Sequence, residues 1–203
     1  MERGGLFPEE EALVAGAVTK RREEFAAGRN AARAALAGLG LPPHPLLRAG
    51  RRAPAWPQGI VGSITHCSGF CCAVVAPAAS VRSLGIDAET GGPLQEGLAA
   101  LVCRPDELAR FADLPSLATT CWPKLAFSAK EAFYKCVDPV LGEFLDFHEV
   151  AVRFAPGTAR DGGGFGVSVL KPGPAARVPT PLLAGRWAAD PARVYTAVTW
   201  PLA

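Results

Sequence analysis

Read from the N-terminus, apolar positions recur first at helical and then at strand-like spacing, and this order is repeated once. Pro8 followed by Glu9, Glu10 and Glu11 marks a helix start, with acids at the positive end of the dipole, and predicts a short helix to about Ala17. Thr19 is placed to cap a longer helix through Leu39, closed by Gly40 and the Pro42-Pro43 pair, with Phe25, Ala32, Leu36 and Leu39 on its apolar side. Ile60–Thr65 and Phe70–Ala76 read as strands joined by His66-Cys67-Ser68-Gly69, and Val81–Asp87 as a third. After the Gly91-Gly92-Pro93 break, a helix is predicted from Pro105 to about Asp113 and another from near Pro123 until Asp138-Pro139. Four strand-like runs close the chain: Phe147–Phe154, Phe165–Leu170, Leu183–Ala188 and Val194–Trp200.

The spans Gly62–Val75 and Gly185–Val198 share a strand, a polar turn and an apolar strand of equal length. Helices followed by a meander, given twice, predict an α+β fold built as a pseudo-twofold pair of similar lobes, residues 1–82 and 83–203, with their sheets facing across a seam. A seam of that kind is where a ligand sits.

Three polar features stand out from this frame. In an extended strand Asp87 and Glu89 leave the same face, an arrangement that suits a hard cation or, equally, a strand ending at the solvated turn Thr90-Gly91-Gly92-Pro93. On the helix after Pro123, Leu125, Ala129, Ala132 and Cys136 form an apolar stripe, and Ser128, Glu131 and Lys135 a polar one. The polar stripe is either a site or an ordinary surface Glu-Lys pair. On the helix after Thr19, Arg22, Arg29 and Arg33 cluster within about half a turn, as a solvated face or an anion site. Arg48, Arg51 and Arg52 follow in a Pro-rich connection near Trp56, and His66 at a strand end is open to a structural role or to an anion; His44 and His148 read as structural or surface residues.

Composition narrows the options. The 203 residues can bury a substantial core, and with 49% hydrophobic and 20% charged residues nothing points to disorder. A net charge of +2 implies no bulk nucleic-acid affinity. No apolar run approaches a membrane span and Met1-Glu2-Arg3-Gly4-Gly5 lacks a signal-peptide core, so a cytoplasmic protein is expected, without a nucleic-acid or membrane partner. Six cysteines without a Cys-x-x-Cys pair are expected to be buried free thiols.

Taken together, Pro54-Ala55-Trp56-Pro57 leading to Gly62-Ser63-Ile64-Thr65-His66-Cys67, then Gly85-Ile86-Asp87-Ala88-Glu89, then Phe127-Ser128-Ala129-Lys130-Glu131-Ala132-Phe133-Tyr134-Lys135 resemble the 4′-phosphopantetheinyl transferases of the two-lobed, broad-specificity kind, nearest the siderophore-synthesis and actinobacterial group. The likeness runs from Thr19 to about Phe147. It implies transfer of the phosphopantetheine arm of coenzyme A to a serine of an acyl or peptidyl carrier protein, with Mg²⁺ and release of adenosine 3′,5′-bisphosphate. On that resemblance Asp87, Glu89 and Glu131 are the metal ligands, with Ala88 leaving its place to water; oxygen ligands suit this cation. Glu131 is also the base toward the serine, Lys135 stabilises or protonates the departing bisphosphate, and Lys130 is another pyrophosphate contact. His66 is assigned to the 3′-phosphate, with Arg21, Arg29 and Arg48 as further anion contacts, Ser63 as a secondary one, and Arg22, Arg33, Arg51 and Arg52 as substitutes. A two-lobed chain supplies its own seam and is expected to be a monomer. Two other readings stay open: another metal-dependent phosphoryl-transfer enzyme, and a coenzyme A-binding or carrier-docking module without turnover.

Overall fold

The structure, a computed structural model, describes residues 5–50, 53–156, 161–173, 178–179 and 183–202; Arg51 and Arg52 lie outside the described residues. In chain order the elements are α1 (Pro8–Ala12), α2 (Thr19–Gly38), β1 (Arg48–Ala49), β2 (Ala53–Pro54), β3 (Ile60–Cys67), β4 (Phe70–Pro77), β5 (Val81–Thr90), α3 (Leu98–Val102), α4 (Pro105–Ala112), α5 (Trp122–Leu141), β6 (Val150–Pro156), β7 (Gly162–Val169), β8 (Ala184–Ala189) and β9 (Arg193–Pro201). A 3₁₀ turn, Phe147–Glu149, precedes β6. This is the mixed α+β composition the sequence predicts.

Several boundaries differ from expectation for local reasons. α1 stops at Ala12, five residues early. α2 is capped by Val18, so Thr19 is already helical and its hydroxyl makes no cap bond. α5 continues through Pro139 to Leu141 and ends on Gly142 in the left-handed region; the proline falls in the last turn, where little helix remains to be disrupted. β3 runs on to Cys67, which puts His66 within the strand, and Phe147–Glu149 is a 3₁₀ turn because the Asp146 carboxylate accepts from His148 N. Leu98–Val102, a single helical turn, has no sequence signal strong enough to find it.

Among the described residues the strands form a β1–β2 pair, a β3–β4 hairpin and a five-stranded antiparallel sheet ordered β5-β9-β8-β7-β6. The two halves are therefore unequal, since β5 joins the second sheet beside β9. α5 lies on β5 and β9, α2 on β4 and β3. The main core is formed by α5 against the five-stranded sheet, with Leu125, Ala129, Ala132, Phe133 and Cys136 fully buried and the rings of Trp122, Phe154, Phe165 and Trp187 packed in tilted and edge-to-face contacts beyond them. A smaller core joins α2, through Ala32 and Leu36, to Leu46, Trp56, Ile60 and Ile64.

Two close approaches explain glycines in the sequence blocks. A side chain on Gly62 would meet the Trp56 ring at 2.7 Å, so the bare backbone is what lets the indole lie against β3. A Cβ on Gly85 would sit 2.0 Å from Ala132 O and 2.6 Å from Cys136 N, so β5 rides directly on the backbone of α5. Ser83 Oγ reinforces that contact, donating to Cys136 O at 2.6 Å.

β3 and β5 are joined by side chains instead of a ladder. Ser63 Oγ accepts from Ile86 N at 3.1 Å and Thr65 Oγ1 from Ala88 N at 3.0 Å. The hydroxyls of alternate β3 residues thus satisfy amides of β5 and close the seam between the two sheets.

Candidate active site at the seam

The seam opens into a cavity of about 900 Å³, walled by α2, β2, β3, β5, α5 and the segment after it. The volume is in the range of cavities that take cofactor-sized ligands. Its wall draws on three sets of elements: α2 and β3 supply Arg21, Glu24, Arg29 and His66; β5 and α5 supply Asp87, Glu89, Glu131 and Lys135; and α5 with the segment after it supplies Phe127, Tyr134, Phe144 and Phe147 beside Asp138, Glu143 and Asp146.

The second set is fixed by β5 and α5. Asp87 Oδ1 accepts from Lys135 Nζ at 2.6 Å and from Thr65 Oγ1 at 3.1 Å, and Lys135 also reaches Ile86 O at 3.2 Å. Asp87 Oδ2 is buried and has no hydrogen-bond partner among the described residues. Glu89 lies two residues on and on the same face, as the strand period requires. Its carboxyl is pushed up to about 7, first by burial and then by the neighbouring Asp87, with Lys124 and Lys135 opposing and Glu131 adding to the rise. Lys124, which the sequence reading missed, is buried and donates to Thr90 O at 2.9 Å and Gly91 O at 3.2 Å, anchoring the end of β5.

Among the described residues no three His, Cys, Asp or Glu side chains already converge as a metal cluster. The oxygens nevertheless fit a hard cation: a buried carboxylate oxygen without a donor among the described residues, and a second carboxyl whose pKa burial and the adjacent Asp87 raise to about 7, so that a cation there would favour its charged form. Glu131 faces the same cavity from α5.

The basic set is built on α2. Arg29 is 6% exposed; its guanidinium lies 4.2 Å over the Phe25 ring, and its Nε is without a partner among the described residues. Burial lowers its pKa, as do Arg48, Arg33 and Arg21, while Glu10 opposes them. Arg21 and His66 both approach Glu24 at the cavity mouth, Arg21 at 3.7 Å and His66 Nε2 at 3.3 Å. Glu24 was not anticipated as part of the site. Arg48 stands exposed on β1, near enough to act on Arg29 but outside the residues that wall the cavity. Arg22 is exposed and away from the wall, and Arg33 is engaged by Glu10. Ser63 faces the cavity, but it is buried and its oxygen is committed to Ile86 N.

Two expectations on α5 are corrected. Lys130 does not reach the cavity: it is 0% exposed, and its ammonium donates to Glu107 Oε2, Val102 O and Phe147 O, each at 2.8 Å. One residue from Glu131 is about 100° around the helix, enough to turn Lys130 off the cavity face and toward Glu107 of α4. Ser128 also leaves the polar stripe for the core, where its hydroxyl meets Thr196 Oγ1 at 2.8 Å and its carbonyl accepts from the same threonine.

The aromatic set is held by ring contacts of Phe147 with Phe127 at 5.8 Å and with Tyr134 at 5.6 Å, while Tyr134 Oη donates to Asp146 O at 3.0 Å. Away from the cavity, and among the described residues, all six cysteines are free thiols; only Cys103 and Cys136 are buried, the other four being half-buried. Among the described residues no helix is long and apolar enough to cross a membrane.

Residues 9–76 match the family described as 4′-phosphopantetheinyl transferase N-terminal domain, and residues 83–165 the 4′-phosphopantetheinyl transferase superfamily. The chain is 49% identical over 197 residues to 4′-phosphopantetheinyl transferase Svp of Streptomyces mobaraensis, covering 95% of this chain and 78% of that protein. It is 39% identical over 195 residues to 4′-phosphopantetheinyl transferase PptT of Mycobacterium tuberculosis, covering 95% and 85%. It is 40% identical over 198 residues to 4′-phosphopantetheinyl transferase Npt of Nocardia iowensis, covering 95% and 88%. With identity at this level along nearly the whole chain, and with the two matched regions walling one cavity between them, the chain belongs to the 4′-phosphopantetheinyl transferase superfamily.

Proposed function

We propose that the cavity takes coenzyme A lengthwise and passes its phosphopantetheine arm to a serine of an acyl or peptidyl carrier protein, releasing adenosine 3′,5′-bisphosphate. The observation that carries this reading is the make-up of the wall: arginines from α2, carboxylates and a lysine from β5 and α5, and aromatic rings from α5 and the segment after it. Coenzyme A presents groups to match each, a 3′-phosphorylated nucleotide, a pyrophosphate and a mostly uncharged arm. Arg29, with Arg21 and His66 beside it, faces the nucleotide phosphate, since guanidinium forks match phosphate oxygens. Arg48 adds charge from outside the wall, and Ser63 lines the same cavity.

Asp87, Glu89 and Glu131 would hold Mg²⁺, which when bound supplies charge neutralisation at the pyrophosphate. Glu131 takes the proton of the incoming serine hydroxyl, whose oxygen attacks the β-phosphorus as the bond to the bridging pyrophosphate oxygen breaks. Lys135 faces the oxygen that leaves and stabilises or protonates it. The Phe127, Tyr134 and Phe147 rings give the arm an apolar resting place that excludes water. On the same reading the chain divides at 82/83 into two lobes of one unit, a division that the separate family matches support. Incubation with coenzyme A, Mg²⁺ and a panel of apo carrier proteins is the test. One phosphopantetheine mass added to the carrier serine is expected; coenzyme A bound tightly with no carrier modified would leave only a binding module.

A further inference from the structure

Beside the cavity, on the side of α2 that faces α1, a second arginine has no part in the reaction yet is held with more bonds than Arg29. Glu10 is 0% exposed and ionised in spite of it: burial raises its pKa, but the amides of Leu46 and Phe7 and the Arg33 guanidinium together hold it below the usual carboxylate range. Its two oxygens are fully used. Oε1 accepts from Leu46 N at 2.9 Å and Arg33 Nη1 at 2.9 Å, and Oε2 from Phe7 N at 3.0 Å and Arg33 Nη1 at 2.7 Å. Arg33 is fixed further by Asn30 Oδ1 at 2.8 Å and Gly5 O at 3.1 Å. Arg29 Nε stands 4.0 Å from Glu10 Oε1, just beyond hydrogen-bond reach, and keeps its buried donor unpaired among the described residues.

Arg29 and Arg33 are one helical turn apart and compete for one carboxylate. Arg33 takes its hydrogen bonds, and the outcome leaves Arg29 as a buried cation lining the cavity, its Nε unpaired among the described residues. We propose that Arg33 is a positioning residue for nucleotide recognition: by neutralising Glu10 it keeps Arg29 available to the 3′-phosphate of coenzyme A and so sets the preference for coenzyme A over 3′-dephospho-coenzyme A. The inference rests on the reading that places the nucleotide phosphate at Arg29. Without Arg33, Glu10 is a buried, unpaired carboxylate, a costly state that closing the remaining gap to Arg29 would relieve. The present 4.0 Å pair would then tighten into a hydrogen-bonded one and commit more of the charge meant for the ligand.

The test is steady-state carrier modification with each of the two cosubstrates. The wild-type protein should prefer coenzyme A; equal use of both would overturn the placement of the phosphate itself and the proposal with it. Arg33→Gln should raise KM for coenzyme A about tenfold or more, the worth of one hydrogen bond to a charged group, with kcat and the dephospho-coenzyme A constants moving less than about twofold. Adding Glu10→Gln to Arg33→Gln removes the competitor and should restore the preference, a rescue that damage to the fold would not give. Arg33→Lys, which still neutralises Glu10, should keep the preference. The proposal fails if both cosubstrates lose affinity together in Arg33→Gln, if the double variant is no better than the single, or if Arg33→Lys behaves as Arg33→Gln does. Should Arg33→Gln alone not fold, the double variant and Arg33→Lys decide, because loss of the preference in either contradicts it.

Discussion

Lys135 Nζ lies 2.6 Å from Asp87 Oδ1, and the second oxygen of the same carboxylate is left without a partner among the described residues. The lysine thus acts twice. It fixes one oxygen of the carboxylate while the other stays buried and unpaired among the described residues, and on the proposed function it keeps a positive charge where the pyrophosphate bond would break. Replacing it with methionine should lower kcat by about 10²-fold or more, the range for losing a positioned acid, while KM for coenzyme A changes little. A rise in KM at unchanged kcat would restrict Lys135 to binding.

Asp87 and Glu131 enter the reading through different elements, β5 and α5, and should be separable from the fold. Asp87→Asn and Glu131→Gln keep shape and remove charge, so each should cut transfer by about 10³-fold or more, with circular dichroism and melting temperature close to wild type. Normal turnover with normal cation dependence in either variant takes that residue out of the site.

Lys130 offers the opposite expectation. It is sealed against Glu107, whose other bonds go to Arg104 N and Val152 N. Lys130→Met therefore strands a buried carboxylate and should cost about 3–5 kcal/mol of stability, read as a lower denaturant midpoint. KM for coenzyme A in the folded fraction should be unaltered, since the ammonium faces away from the cavity.

The backbone contact at Gly85 makes a further check possible. Ala at this position drives a methyl into Ala132 O and Cys136 N, neither of which is a flexible side-chain end, so β5 must lift from α5. We expect a loss of about 3 kcal/mol together with reduced kcat, because Asp87 and Lys135 ride on the two elements that separate. Gly38→Ala, where a Cβ meets open space, is the control and should be neutral or stabilising by up to about 1 kcal/mol.

What could be read in the sequence follows from which interactions are local. Period-two placement of Asp87 and Glu89, and period-3.6 placement of Glu131 and Lys135, depend on the backbone alone, and both hold. The basic stripe on α2 was visible as a stripe, but not which arginine it would offer, because that depends on Glu10 from a separate helix. Lys130 is illegible for the same reason, its partner Glu107 lying 23 residues away and unmarked by any spacing. The hydroxyls of Ser63 and Thr65 stood in a recognisable block, yet their task of joining two sheets appears only once β5 has paired with β9.

Glu89 ties the site to pH. Its folded-state pKa of about 7 is above the ordinary 4.5, so the native state holds its proton more tightly than the unfolded chain does. Between pH 4.5 and 7 the native state then binds more protons, and stability falls as pH rises through that window. Metal-free protein should accordingly lose melting temperature between pH 5 and pH 8, and Glu89→Gln should flatten that slope. On the proposed function Mg²⁺ at the carboxylates would compete with the same proton, so its affinity should drop by about tenfold for each pH unit below 7, and it should raise the melting temperature at pH 8 far more than at pH 5.5. Calorimetric titration of Mg²⁺ in buffers of different ionisation enthalpy reads the proton directly, with close to one released per ion bound at pH 6. Cation binding without proton release at that pH, or a melting temperature as insensitive to pH in wild type as in Glu89→Gln, would detach Glu89 from the metal.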